Sequence, residues 1–370
     1  MIDSIEAALQ GGNYPEVTRL LGTLNEQDPW TQFYWARLWE TTQESDRAEA
    51  AYRNLLRQAD SPKLTLAARQ GLERLQTQRT QARKQAIAEA IAEPHNTEPG
   101  VLVLAAIDPA QKTEAAQAMA KIMNIEPYSA RMLLPSRGIR LYRTGAVGEL
   151  EFYGRQLNDC GIPAFWLPLS LLQSVTVHSI QYFESVEGIV RAIVQSDEGG
   201  PRTLGAERAL QFAWTDIAAR VEGQLPIFEE VVDRDARGKL LRKEKTQDRA
   251  NFCDLHLPAQ NCILRISDAA YQFNRGERFE SEATADFPLN RSTAWANWRQ
   301  LSLVLSQKLS QQPVWATFEP FAETAFEHPD LLSKLPSHIN LFRREDSNWD
   351  PAFQLYSALL FLKSPDASLG

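Results

Sequence analysis

Along 1–77, apolar residues return every three or four places, the spacing of amphipathic helices. Ile5 and Leu9 mark one helix, and Val17, Leu20, Leu21 and Leu24 mark a second. Gly11 and Gly12 lie at the break, where a tight turn needs permissive backbone, and Pro15 opens the second helix, where a missing N–H costs little. Trp35 and Leu38, then Ala48, Tyr52, Leu55 and Leu56, continue the pattern, and 64–75 predicts one more helix. From 78 to 99 Gln, Arg, Ala and Glu dominate and Ile87/Ile91 is the one regular apolar pair, so an exposed helix ending near Pro94 and a connector are expected.

The period then changes. An apolar run at 101–107 has strand length; Ala115, Met119 and Ile122 follow at helical spacing, and a short helix at 128–134 stops before Pro135. A strand at 138–143, a helix at 148–160 closed by Gly161, and a strand at 162–167 complete a βααβαβ order. Beyond 173 the alternation predicts short strands at 175–182, 189–194, 210–214, 227–232, 239–245, 252–257 and 262–266. Turns are expected at Gly199-Gly200-Pro201, at Glu222-Gly223, at 233–238 and at 258–261. A helix from Ser292 carries Trp295, Trp298, Leu301, Leu305 and Leu309 on one face. The last helix starts at Asp350-Pro351, with Phe353, Leu355, Ala358, Leu359 and Leu362 as its apolar face. The polar loop 343–348 reads as a buried ion-pair network docking that helix, with a recognition loop as the alternative. The expected fold class is multidomain α+β: helical hairpins at 1–77, a helical linker at 78–99, an α/β module at 100–168, an antiparallel β-rich domain at 173–310 capped by a helix, and a helical C-terminal extension at 311–370 packing on the β-rich domain.

Charge and motifs narrow the chemistry. The net charge of -8 argues against a nucleic-acid partner. Three cysteines are too few and scattered for a disulfide scaffold. The N-terminus lacks the pattern of a signal peptide, and no apolar run reaches the ~18 residues that span a bilayer. A cytoplasmic protein without an integral membrane segment is expected, with peripheral membrane association left open. Neither G-x-G-x-x-G nor a phosphate-binding loop is present, nor a G-x-S-x-G elbow, and His95, His178, His256, His328 and His338 are isolated. Cys253-x2-His256 with Cys262 has the composition of a zinc site, but strand alternation puts Cys253 and His256 on opposite faces, and both cysteines read as small buried apolar residues. No catalytic residue, cofactor or metal is expected, and the chain reads as a non-enzyme. The stretch 234–249, with Arg237, Lys239, Arg242 and Lys243, reads as a solvated hairpin, with anion or phospholipid binding as the sharper alternative.

Three resemblances add expectations. Gly12-Asn13-Tyr14, Val17, Leu21, Leu24 and Asp28-Pro29, followed by Trp35-x2-Leu38 and Ala48-x3-Tyr52, resemble the tetratricopeptide (TPR) repeat, with a departure from its period of about 34 residues near 42–45. That resemblance implies a concave surface for a protein or peptide partner, lined by first-helix residues such as Gln32, Trp35, Arg37 and Trp39. The Gln- and Leu-rich texture also resembles cyanobacterial TPR proteins, which implies a scaffold that assembles or maintains a larger complex. Tyr128–Leu134, Leu150, Tyr153, Leu157 and Cys160-Gly161-Ile162 are similar to the domain shared by the ribosomal stalk protein and the Clp protease adaptor, which implies a proteolysis or translation adaptor as the alternative function. Phe212-Ala213-Trp214-Thr215-Asp216-Ile217 looks like a strand edge of pleckstrin-homology (PH) domains, so the β-rich part is read as weakly PH-like.

Overall fold

The computed structural model describes residues 2–58, 61–196, 207–234, 240–279, 294–341 and 347–363. The N-terminal pattern yields five helices: α1 (Ile2–Gln10), α2 (Tyr14–Leu21), α3 (Pro29–Thr41), α4 (Ser45–Gln58) and α5 (Pro62–Ala92). Asn13 caps α2 by accepting from the Glu16 amide, and Asp28 caps α3 through Oδ2, 2.9 Å from the Thr31 amide. Gly12 takes a left-handed φ of 70° at the first turn. Ile5, Val17, Leu21, Ala48, Tyr52, Leu55 and Leu64 are buried together. The helices expected at 64–75 and from 78 to near Pro94 are one helix of 31 residues, buried as far as Leu75 and ending at Ala92. No proline interrupts it, and the Gln, Arg, Lys, Ala and Glu beyond Leu75 are strong helix formers that continue the backbone once nucleated. The chain divides into two compact units, Met1–Glu89 and Ala90–Gly370.

In the second unit β1 (Pro99–Ala105), α6 (Lys112–Met123), α7 (Pro127–Leu133), β2 (Ile139–Ala146), α8 (Val147–Asp159) and β3 (Ala164–Pro168) follow in the expected βααβαβ order. The strands form an antiparallel sheet in the order β2-β1-β3. After α9 (Leu169–Gln173) come β4 (Thr176–Ser185), β5 (Val190–Ser196), β6 (Glu207–Phe212), β7 (Ala219–Arg234), β8 (Leu240–Leu257), β9 (Cys262–Ser267) and β10 (Val314–Trp315). They make one seven-stranded sheet, ordered β10-β7-β8-β9-β4-β5-β6. It is antiparallel except at the β4·β9 and β10·β7 pairs, which are parallel.

Three local expectations are corrected. Glu222-Gly223 is the interior of β7, opposite Cys253 and Phe252, rather than a turn. A Cβ on Gly223 would lie 2.6 Å from the Phe353 ring and 3.0 Å from Phe318, so this glycine serves close approach of side chains to the strand. The strands expected at 239–245 and 252–257 are one, β8, because the polar stretch between them still pairs with β7. The strand expected at 210–214 ends at Phe212; Trp214 turns away and its Nε1 donates to the Val186 carbonyl at 2.9 Å. The 258–261 hairpin loop forms as expected, with Asn261 left-handed. Gly199-Gly200-Pro201 lies outside the described residues.

Both faces of the large sheet are covered. Cys253, Leu255, Leu257, Leu264 and Ile266 pack against Leu301, Leu305 and Leu309, which follow the run of α10 (Ala294–Lys308). Trp295 is 65% exposed rather than on that inner face: at about 100° per residue it lies some 240° round the helix from Leu301. On the opposite face Phe252, Val221 and Ile263 meet α11 (Phe318–Ala325), α12 (Pro329–Leu332) and α13 (Trp349–Lys363), and the same core takes in Val101, Val103, Ile139 and Leu141 of the small sheet. The expected single apolar face of α13 is therefore a full circumference: every residue from 352 to 362 is buried.

Polar groups also enter that core, hydrogen-bonded except at His256 Nδ1, which has no partner among the described residues. Asp254 and Arg265, directly opposite on β8 and β9, are 0% and 2% exposed. Arg265 Nε donates to Asp254 Oδ1 at 2.8 Å and Nη2 to Oδ2 at 2.7 Å; Nη2 also reaches Gln354 Oε1 at 3.0 Å, and Nη1 donates to the Ser337 carbonyl at 2.8 Å. The guanidinium lies 5.0 Å from the Phe353 ring centre. Two residues along β8, His256 Nε2 is 3.1 Å from Ser357 Oγ, with the imidazole edge-on to Phe361. Thus α13 is docked by side chains of β8 and β9. Residues 342–346 of the loop expected to do this lie outside the described residues.

Removing one member of a buried ion pair strands the other charge, so Arg265→Met alone is expected to cost about 3–5 kcal/mol in urea unfolding, and Asp254→Leu/Arg265→Met together markedly less. Burial lowers the His256 pKa from 6.5 to about 4. The folded state then excludes a proton that the unfolded chain binds, so this stabilisation is complete above pH 6.5 and is lost as pH falls towards 4. Its loss by pH 5 amounts to about 2 kcal/mol. Urea unfolding of wild type and His256→Gln at pH 7.5 and 5 should show that much smaller a drop in the variant.

Candidate protein-binding groove

Helical geometry sorts the four residues expected to line a partner surface. Gln32, Trp35 and Trp39 are three and four apart on α3 and share one side. Arg37 lies about 200° round from Trp35, and its Nη1 is 3.7 Å from Glu6 Oε1. The structure brings the first three together in a groove of about 380 Å³ completed by Glu26 and by Ala51 and Asn54 of α4, and leaves Arg37 elsewhere. The Trp35 and Trp39 rings are stacked, 5.8 Å between centres at 29°, and both are half-buried. The Arg47 guanidinium lies 5.6 Å from the Trp39 ring centre, and Gln32 Nε2 donates to the Glu26 carbonyl at 3.2 Å.

α3 is anchored on a flank of the groove, about 100° round from Trp39. Glu40, 8% exposed, receives Arg74 Nε at 2.7 Å and Nη2 at 2.9 Å from α5, and the Tyr52 hydroxyl of α4 donates to it at 2.6 Å. Burial raises the Glu40 pKa, but the hydrogen bonds from Arg74 and Tyr52 outweigh it and hold the carboxyl below its ordinary range. Burial, with Glu40 as its neighbour, pushes the Tyr52 hydroxyl up, so it stays a donor at any ordinary pH. The two tryptophans therefore project from a helix fixed beside them by a charge-assisted network.

Of the residues read as an anion site, Arg237 and Lys239 lie outside the described residues. Arg242 and Lys243 are placed by backbone alone, in β8 opposite Val232 and Val231. Cys253 packs towards α10 and His256 towards α13. Burial raises the Cys253 thiol far above its usual range and Cys262 to about 11, as expected of inert core thiols. Among the described residues no group of three or more His, Cys, Asp or Glu side chains is placed to hold a metal ion, and no helix is long and apolar enough to cross a membrane. In the α/β module α7 packs on α6 while α8 packs on all three strands, and Tyr128 and Met132, one turn apart on α7, point outward at 76% and 64% exposure. A second concavity, between β7, β8 and α10, escaped the sequence reading. Its signal was available in Arg220-x-Glu222-x-Gln224, three polar side chains on alternate positions of a strand, obscured by reading Glu222-Gly223 as a turn. No protein-family model matches the sequence, and neither a curated protein nor a solved structure matches the chain.

The brace on α3 can be tested at Gly71, where an added Cβ would fall 2.5–2.8 Å from atoms of the Tyr52 ring. Alanine favours a helix over glycine by about 1 kcal/mol, yet Gly71→Ala is expected to lower the stability of the full chain by about 1–3 kcal/mol, because Tyr52 is held by Glu40 and cannot swing aside. Thermal unfolding followed by circular dichroism reads the sign.

Proposed function

We propose that this chain is a non-enzymatic interaction protein whose N-terminal helical unit holds a peptide segment of a protein partner along Gln32, Trp35 and Trp39. The observation that carries this reading is the stacked, half-open tryptophan pair on a braced helix. Tryptophans in a groove are the kind of group on which a few residues supply most of a binding energy, since a large rigid ring is desolvated at little entropic cost. Gln32 and Asn54 beside them offer amide donors and acceptors to an extended backbone. The succession of α1 on α2, α2 on α3 and α3 on α4 supports the tetratricopeptide-like expectation. On this reading the second unit adds contacts or fixes geometry, and a role in assembling or maintaining a larger complex follows. The exposed Tyr128/Met132 pair on α7 favours, as a second reading, an adaptor contact through the α/β module.

Panning a random-peptide display library on the full chain tests the groove. Enriched peptides are expected to lose about thirtyfold in affinity, near 2 kcal/mol, on Trp35→Ala/Trp39→Ala. They should lose little on Tyr128→Ala/Met132→Ala. The reverse ranking would move the function to α7, and peptides indifferent to both pairs, or no enrichment, would overturn the proposal.

A further inference from the structure

Three rows of side chains converge on one face of the large sheet, each set by the period of its own element. Along β7, Arg220, Glu222 and Gln224 alternate with the core residues Val221 and Leu225. Along β8, Asn251 is paired with Gln224, and Arg249 lies two residues before it on the same face. Along α10, Trp298, Ser302 and Ser306 recur every four residues. Between them lies an open cleft of about 450 Å³, lined also by Phe318 and Glu319. That is within the ordinary range of small-molecule sites.

The cleft wall is preorganised. Arg220, 7% exposed, donates through Nη1 to Ser306 Oγ at 3.1 Å, and its Nη2 is 2.9 Å from Glu222 Oε1; its Nε has no acceptor among the described residues. Gln224 Nε2 donates to Asn251 Oδ1 at 3.0 Å, while the Asn251 side chain donates in turn to Asp268. Arg249 Nη1 is 3.5 Å from Glu319 Oε1. Each amide, carboxylate and guanidinium is planar and held in place by a neighbour, and none has all its donors and acceptors used by the contacts named.

Charge decides the ligand class. Two arginines are matched by two glutamates at salt-bridge distance, so a phosphate or polycarboxylate entering the cleft would meet carboxylates as well as guanidinium groups. Planar groups that donate and accept in pairs match adjacent hydroxyls, each of which does both. The half-buried Trp298 supplies an apolar ring for the C–H face of a sugar. We propose that this cleft binds a neutral saccharide, its hydroxyls shared among Arg220, Glu222, Gln224 and Asn251 and one ring face towards Trp298. This site is independent of the N-terminal groove.

The test is a neutral-glycan array probed with the full chain, followed by calorimetric titration of the strongest glycan and, in parallel, of inorganic phosphate. Binding should be almost unchanged between low and high salt, because no net charge is neutralised. It should fall at least about tenfold in Ser302→Phe, which fills the cleft, and in Gln224→Ala, an exposed position whose loss leaves the fold intact. No glycan binding, glycan binding equal in both variants, or salt-sensitive phosphate binding that displaces the glycan would each overturn the assignment.

Discussion

Two opposite charges without water are tolerable only if every donor and acceptor they carry is matched, and the Arg265–Asp254 pair imposes that condition on the second unit. Its partners come from separate parts of the chain: adjacent strands supply the pair, α13 supplies Gln354, and the segment at 337 supplies a carbonyl. A slip of β9 against β8, or a rotation of α13, would leave a buried charge unmatched. Apolar packing alone specifies such a helix loosely, since α13 is apolar nearly all round and presents no preferred face. The polar contacts at Gln354 and Ser357 fix its rotation, and Gly223 lets Phe353 and Phe318 close onto β7.

With one face of the sheet closed in this way, the other is free to be less complete. Leucines of α10 cover Cys253, Leu255 and Leu257 at its centre, while towards β7 the strand carries polar side chains in the row where its neighbours carry apolar ones. The cleft is the result. The first unit does something similar on a smaller scale, in that the buried Glu40–Arg74–Tyr52 contact fixes α3 next to the half-open tryptophans. In both units a buried charge rigidifies the element that presents the exposed groups, as preorganised recognition requires.

Periodicity in the sequence reported the elements well. The N-terminal helices, the βααβαβ order and the 258–261 hairpin stand close to their expected positions, because each rests on local spacing and turn chemistry. Alternation also placed Cys253 and His256 on opposite faces. It could not tell that both faces of β8 are buried, since Asp254, His256 and Arg265 look like solvent-facing residues until their partners are known. Those partners are Gln354 and Ser357, about ninety and a hundred residues later. Gly223 misled for the same reason: a glycine needed for side-chain approach is indistinguishable locally from one needed for a turn. In the groove, spacing grouped Gln32 with Trp35 and Trp39, and Arg37 failed to join them because a two-residue step crosses to the far side of a helix.

The placement of α13 also bears on how this protein is made. Its residues fill the cavity between the two sheets, yet β9 is complete by Ser267 and the helix begins at Trp349. At ribosomal speeds of about 5–20 residues per second, the interval is on the order of ten seconds. During it α11 and α12 are made but α13 is not, so the core that Val101, Val103, Val221, Phe252 and Ile263 share stays incomplete, and Asp254 and Arg265 must wait for Gln354. The order of synthesis thus leaves this core to be closed by the last helix of the chain described.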